Sequence, residues 1–353
     1  MKTKFTLVAL GVMLLTVGCS NNTPTTAESS VTSASSATSQ IAPKTRSEKV
    51  KDAASNISDI FRASRESIVS KDTTFVVTLT NVNVGVPGKY EITNLGGIIS
   101  LCSYKVNLED EMRIAFSTVY TSGELHIGEQ SLPLAGLGFN FYLLDSTAYI
   151  DLSNQILSAL LVGVISSYIE ELTPQEALEL LENIIGPTHK TKVPSITLPL
   201  MEDLDNALKQ KNDEIDEWYT NCDFSVLEGA EYSFLDSGFS FIKRQSGILE
   251  STLTMSKSAF YALAIAGAKS DEELVEITKR YDQITKIDTS IGIKTDDEKR
   301  LSYVSTYLNF ERIGDDPIAI EGSIKLEMKY GIIGISLPKT FNDFFELNIP
   351  VQS

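Results

Sequence analysis

Residues 318–330 read IAIEGSIKLEMKY, and their period of two decides the fold class. Ile318, Ile320, Gly322, Ile324, Leu326, Met328 and Tyr330 fall on one side of an extended chain. Ala319, Glu321, Ser323, Lys325, Glu327 and Lys329 fall on the other. One apolar face and one wet face is the pattern of an antiparallel sheet packed on a core from one side. The same alternation predicts strands over residues 75–86, 113–120, 124–128, 137–144, 148–152, 247–255, 287–294 and 301–312. Turn residues separate them: Thr121-Ser122-Gly123, Asp145-Ser146, Asp296-Asp297-Glu298 and Gly314-Asp315-Asp316-Pro317.

Helical spacing interrupts the strands in two blocks. Ile156, Leu157, Leu160, Leu161, Val164, Ile165, Tyr168 and Ile169 form a broad apolar stripe over 156–169. Thr173-Pro174-Gln175-Glu176 is a capping box with proline at the first helical position, and Gly186-Pro187 stops that helix. Further helices are predicted over 201–219, 257–268 and, behind a Ser270 cap, 271–284. An amphipathic helix over 49–69 precedes the first strand. Helix, strands, helices, strands, helices, strands is an α+β order: a large antiparallel sheet with helices gathered on one face.

Strand 137–144 departs from simple alternation, being apolar on both faces, as is much of 75–86. Both faces must then be covered, by a helical layer on one side and by another layer or a ligand on the other. The side chains expected to line such a cavity are Phe139, Phe141 and Leu143 on the strand and Leu157, Leu160, Val164 and Tyr168 on the helix that follows. Gly163 in that helix leaves room for close approach of another chain. A solid two-layer core is the competing reading.

The search for chemistry returns little. His126 and His189 are the two histidines, and no hydrolase elbow, metal-binding histidine pair, phosphate loop, dinucleotide glycine pattern or calcium loop is present. His126 falls on the polar side of a strand and His189 in a turn. The carboxylate clusters at 109–111, 202–203, 213–217, 296–298 and 315–316 read as solvated turns and helix faces. A calcium ion at the Asp296 or Asp315 turn is a minority reading. No catalytic residue, metal ligand or cofactor is therefore expected, and the chain reads as no enzyme.

The first residues carry an address. Lys2 and Lys4 precede an uncharged, mostly apolar run over 5–17, then Gly18 and Cys19. This has the charged start, short apolar core and small residue of an export signal, and is too short to span a bilayer comfortably. Residues 20–47 are rich in Ser, Thr, Ala and Asn and cannot bury enough apolar surface to order themselves, so they read as a tether. The resulting division is a signal over 1–18, Cys19 and tether over 19–47, and one domain over 48–353.

The whole chain carries a net charge of −17. Residues 1–18 hold two lysines and no acid, so without them 28 basic face 47 acidic residues, a net −19. Such a surface is repelled by nucleic acid, which is excluded as a partner. Beyond Cys19, Cys102 and Cys222 invite a disulfide in an exported protein, and two buried free thiols fit equally well.

Leu15-Thr16-Val17-Gly18-Cys19 resembles the lipobox of bacterial prolipoproteins, with Thr16 standing where leucine is commonest. The resemblance implies that Cys19 receives a diacylglycerol and becomes the membrane-anchored N-terminus of an extracytoplasmic protein of the cell envelope. Residues 145–153, DSTAYIDLS, are similar to a strand of lipoproteins of the LolA and LppX/LprG type. Residues 301–310 and 318–330, ending Ile335-Ser336-Leu337-Pro338, look like the last strands of that half-barrel. That likeness implies a strongly curved antiparallel sheet with helices in its concave side, around an apolar cavity that carries lipid or acyl chains. A non-catalytic cell-surface interaction module without a small-molecule ligand is the alternative function.

Overall fold

The alternating segment becomes strand β12 (Ile318–Tyr330), near the middle of one 13-stranded sheet. The computed structural model describes residues 44–104, 113–144, 146–169, 172–195, 201–221, 242–243, 248–268, 270–314 and 317–347. In chain order the other strands are β1 (Thr73–Val86), β2 (Tyr90–Tyr104), β3 (Arg113–Ile127), β4 (Gln130–Pro133), β5 (Gly138–Leu144) and β6 (Thr147–Asp151). They continue as β7 (Lys190–Val193), β8 (Ile242–Lys243), β9 (Leu249–Ser256), β10 (Ile284–Thr295), β11 (Leu301–Arg312) and β13 (Phe345–Glu346). The pairing path is β13-β7-β6-β5-β3-β2-β1-β12-β11-β10-β9-β8, with β4 as a flap on β3. Every pairing is antiparallel except β13 on β7. Its two ends do not pair with each other, so the described sheet is mixed and unclosed. With its helices it is an α+β fold.

Helix α1 (Arg46–Ser70) starts two residues before the expected domain boundary, because Thr45 and Glu48 close a reciprocal capping box there. Helices α2 (Gln155–Tyr168), α3 (Pro174–Ile185), α4 (Met201–Asn221), α5 (Lys257–Ala266) and α6 (Asp271–Gln283) follow the spacing closely. Thr173 and Glu176 form the predicted box at α3, and Ser270 caps α6. Gly186 ends α3 with φ of 87°, and a Cβ there would meet the Phe345 ring at 2.5 Å. Glycine is thus required twice over at that site, by backbone and by contact.

One turn is corrected. Thr121-Ser122-Gly123 does not separate two strands, because β3 runs unbroken through it. Gly123 takes φ of 123° and the β2–β3 register slips opposite Gly96 and Gly97, so the loose residues form a bulge inside a long hairpin. Strand β2 escapes the alternation pattern for the same reason, since Asn94, Gly96 and Gly97 interrupt it. Residues 335–338 are also corrected: the chain leaves the sheet at Tyr330 and turns back over it.

That return covers one face. Cys102, Ala115 and Tyr142 are cross-strand partners, buried together with Ile335 and Phe344, and flanked by Leu144, Tyr149 and Phe341. Thr74 anchors the returning segment, donating to the Ile332 carbonyl at 2.6 Å and accepting from the Gly334 N–H at 2.8 Å. Elsewhere α5 packs on β9 and β10, α6 on β10, and α1 on β11 and α4.

Two acidic groups expected as solvated are structural. Asp296 accepts from the N–H groups of Glu298 and Arg300, and from the Arg300 guanidinium at 2.7 Å, which closes the β10–β11 turn. Asp216 bonds Ser58, Asn212 and Arg62 across the α1–α4 seam. Carboxylates with so many donors are held as hydrogen-bond acceptors rather than left to water.

Tyr330 adds a pH dependence at the same end of the sheet. Its hydroxyl donates to the Leu301 carbonyl at 2.9 Å, Arg300 lies 4.5 Å from its ring centroid, and burial pushes its pKa up to about 12. A raised pKa means that the unfolded chain loses this proton first, near pH 10. The stabilising contribution is complete below pH 10 and is lost as pH rises through 12, at most about 3 kcal/mol in all. Urea unfolding at stepped pH should show the wild type losing stability more steeply than Tyr330→Phe across this window. Equal slopes would exclude the assignment.

Candidate functional site

Residues directly opposite in an antiparallel ladder share a face. Phe141 of β5 pairs with Ile150 of β6 and Phe116 of β3; Phe116 pairs with Leu101, Leu101 with Phe75, and Phe75 with Met328. Ile150, Phe141, Phe116, Leu101, Phe75 and Met328 therefore form one apolar row across six strands. On one side of it runs Phe139, Thr118, Ile99, Val77, Leu326 and Val304. On the other side runs Ala148, Leu143, Ile114, Ser103, Thr73 and Tyr330. No carboxylate, ammonium or guanidinium enters these three rows. This face lies opposite the one that the C-terminal segment covers.

What marks the face is incomplete cover. In the central row Met328 is buried, while Ile150, Phe141, Phe116, Leu101 and Phe75 are all half-buried. The Phe116 and Phe139 rings meet at 5.4 Å between centroids, which leaves their outer surfaces toward the open side. Full burial of an aliphatic or aromatic side chain is worth about 1.5–3 kcal/mol, so five partly covered ones leave roughly 2–3 kcal/mol unrealised. Apolar matter laid along the row would recover much of that. An extended hydrocarbon laid along the central row would meet apolar side chains only.

The strand residues predicted to line a cavity come together here. Phe139, Phe141 and Leu143 share the face, and Leu143 is buried with Ala148 against Ile114, Phe141 and Val193. The helix residues behave differently. Leu157 and Leu160 are half-buried on α2, which packs on α3, and Val164 is 39% exposed. Gly163 has open space beyond its Cα. The side chain of Tyr168 lies outside the described residues, as do Cys19 and the carboxylates at 109–111 and 315–316.

Cys102 lies on the covered face, fully buried, and burial pushes its thiol pKa up. It is free among the described residues, and its expected partner Cys222 lies outside them.

His126 sits in β3, with Nε2 3.3 Å from Thr93 Oγ1 and 3.5 Å from Glu124. His189 occupies a left-handed turn at φ of 53°, with Nδ1 2.6 Å from Ser158 Oγ and Nε2 3.9 Å from Glu182. Ser158 also donates toward the Leu152 carbonyl at 3.2 Å, and the Leu152 N–H donates to the His189 carbonyl at 2.9 Å. These bonds tie α2 to the turn entering β7. Residues 158 and 189 belong to different elements, so no local sequence signal announces their meeting. Beside them Lys190 pairs with Asp343 at 2.7 Å, which raises the lysine pKa and lowers the carboxyl's. Among the described residues no group of three or more His, Cys, Asp or Glu side chains is placed to hold a metal ion. No described helix is long and apolar enough to cross a membrane.

No protein-family description matches the chain, and no curated protein matches it. Among solved structures it is similar to the outer membrane protein OprG from Pseudomonas aeruginosa at a TM-score of 0.11 and 6% identity. That alignment spans 74% of this chain and 97% of the other, and at such a score it carries no argument.

Proposed function

We propose that this chain is a membrane-anchored, non-catalytic lipoprotein of the cell envelope that binds or carries lipid acyl chains against the half-covered face of its sheet. The observation that supports it is the charge-free row from Ile150 to Phe75, more exposed than a sealed core would leave it. An unclosed antiparallel sheet with helices beside it is consistent with a half-barrel of the LolA and LppX/LprG type. Native mass spectrometry of protein purified from its own membrane tests this. Co-purified lipid is the expected result, and protein that flies free of lipid under conditions that retain known lipid complexes would remove the reading.

The anchor is Cys19. Its acyl chains supply roughly 0.8 kcal/mol per buried methylene, and two chains suffice for stable attachment. Cys19→Ala is therefore expected to fold normally yet leave the membrane fraction. Quantitative retention of Cys19→Ala with membranes would refute the anchoring role.

A cell-surface interaction module is the second reading. Ile98 and Val119, direct cross-strand partners, are 46% and 51% exposed on the opposite face, where another protein could rest.

A further inference from the structure

The acidity of this protein is unevenly spread. Residues 130–169 carry only two charged side chains, Asp145 and Asp151, in a chain that is 22% charged. Within them, 152–169 hold no charge at all, and this stretch contains α2. A helix apolar on all sides is ordinarily an interior helix. This one is not interior. Ile156 is 41% exposed and Val164 39%, and Ile169 just beyond its end is 44% exposed. Gln155, Ala159 and Gly163 are exposed as well, so an open stripe runs along the helix at spacings of three and four. The loop ahead of β5 extends the surface: Asn154 Nδ2 donates to the Gly136 carbonyl at 2.9 Å, and a Cβ on Gly136 would meet Ile156 Cδ1 at 2.5 Å. Ala135 and Gly136 are exposed beside Ile156.

We propose that this uncharged surface, α2 with the 134–136 loop, lies against the bilayer that holds the lipid anchor. The proposal rests on the anchor reading above. Two arguments select a membrane as the occupant. Without its signal the chain carries a net charge of −19, which repels anionic headgroups, and the surface over 152–169 is a stretch that carries no charge of its own. Cys19 and the cap at Thr45 are separated by 25 residues, which even fully extended reach at most about 90 Å. That limit keeps the domain within reach of the surface, so a weakly apolar patch meets lipid at high local concentration. Exposed aliphatic side chains of this kind bury into the headgroup and acyl boundary without spanning it.

The test uses the lipidated protein in vesicles of phosphatidylcholine with a minor share of phosphatidylglycerol, brominated near the top of the acyl chains. Trp218 is the single tryptophan, so Trp218→Phe with Val164→Trp places the only fluorophore on α2. Trp218→Phe with Val275→Trp places it instead on α6, at a position that is 69% exposed. Both variants must match the wild type by circular dichroism and urea midpoint; should Trp218→Phe unfold the chain, quenching of a nitroxide reader at unnatural residues 164 and 275 replaces it. Bromide quenching at 164 and none at 275 is the expected result. Co-flotation without quenching at 164 overturns the docking and leaves the anchor intact. Absence of co-flotation overturns both. Equal quenching at the two positions signals indiscriminate adhesion and also overturns the proposal, as does a tryptophan at 164 already shielded in a soluble dimer before vesicles are added.

Discussion

Phe141→Asp should yield folded protein that carries no lipid. Phe141 sits in the apolar row, between Phe116 and Ile150, and is only partly buried. A carboxylate there would have to shed water when a hydrocarbon chain covers it, and an unpaired charge buried in that way costs several kcal/mol. The gain from covering the row is smaller, roughly 2–3 kcal/mol, so one charge is enough to cancel it. The same open side lets the carboxylate stay hydrated in the empty protein, which is why the fold is expected to survive. Phe141 also packs against the Leu143–Ala148 pair, so Phe141→Ala accompanies it as a milder probe of stability. Ile98→Asp, on the opposite face, should keep its lipid. Native mass spectrometry gives occupancy, and a urea transition reports folding. A folded Phe141→Asp that retains wild-type lipid would end the acyl-chain reading and favour the interaction module.

Phe344→Ala is expected to release the returning C-terminal segment. Phe344 is 4% exposed and stacks edge-on to Tyr149 at 5.4 Å, with Phe341 at 5.4 Å and the Lys190 ammonium 5.6 Å from its centroid. Removing a buried phenylalanine costs about 3–5 kcal/mol, because the cavity is only partly refilled. Beneath the segment lies Cys102, shielded beside Thr74 and Gly334. In a Cys222→Ser background the Cys102 thiol should therefore react with a thiol reagent far faster in Phe344→Ala than in the parent. The urea midpoint should fall as well. An unchanged midpoint together with a protected Cys102 would mean that the segment is held by its backbone bonds at Thr74, with the aromatic cluster contributing little.

Both predictions rest on a division of labour between local pattern and long-range pairing. The six described helices stand close to where spacing and caps put them, because an i to i+4 hydrogen bond and a Thr173–Glu176 box are satisfied within a few residues. Strand β12 was legible for a similar reason: each of its side chains meets either water or apolar neighbours, and selection of residue type follows that period. Strand β2 was not, since its interior glycines and Asn94 serve a bulge whose partners are more than 20 residues away along β3. The β7 and β13 pieces, four and two residues long, are too short to carry any period at all.

The candidate face divides in the same manner. That 137–144 would be covered on both sides followed from its composition, because no strand with Phe139, Phe141 and Leu143 on one side and Tyr142 and Leu144 on the other can leave both wet. Which layer covers which side depended on residues two hundred positions later, where Phe341 and Phe344 fold onto Tyr142 and Tyr149. The outward turn of Val164, the meeting of Ser158 with His189, and the use of Asp216 and Asp296 as hydrogen-bond acceptors between elements were likewise decided in three dimensions. Composition alone determined that the protein would be acidic and would carry two histidines. Periodicity determined which residues share an element. Only the register of the sheet, set by packing summed over many weak contacts, decided that five apolar side chains from five different strands would line up in one row and stay partly open.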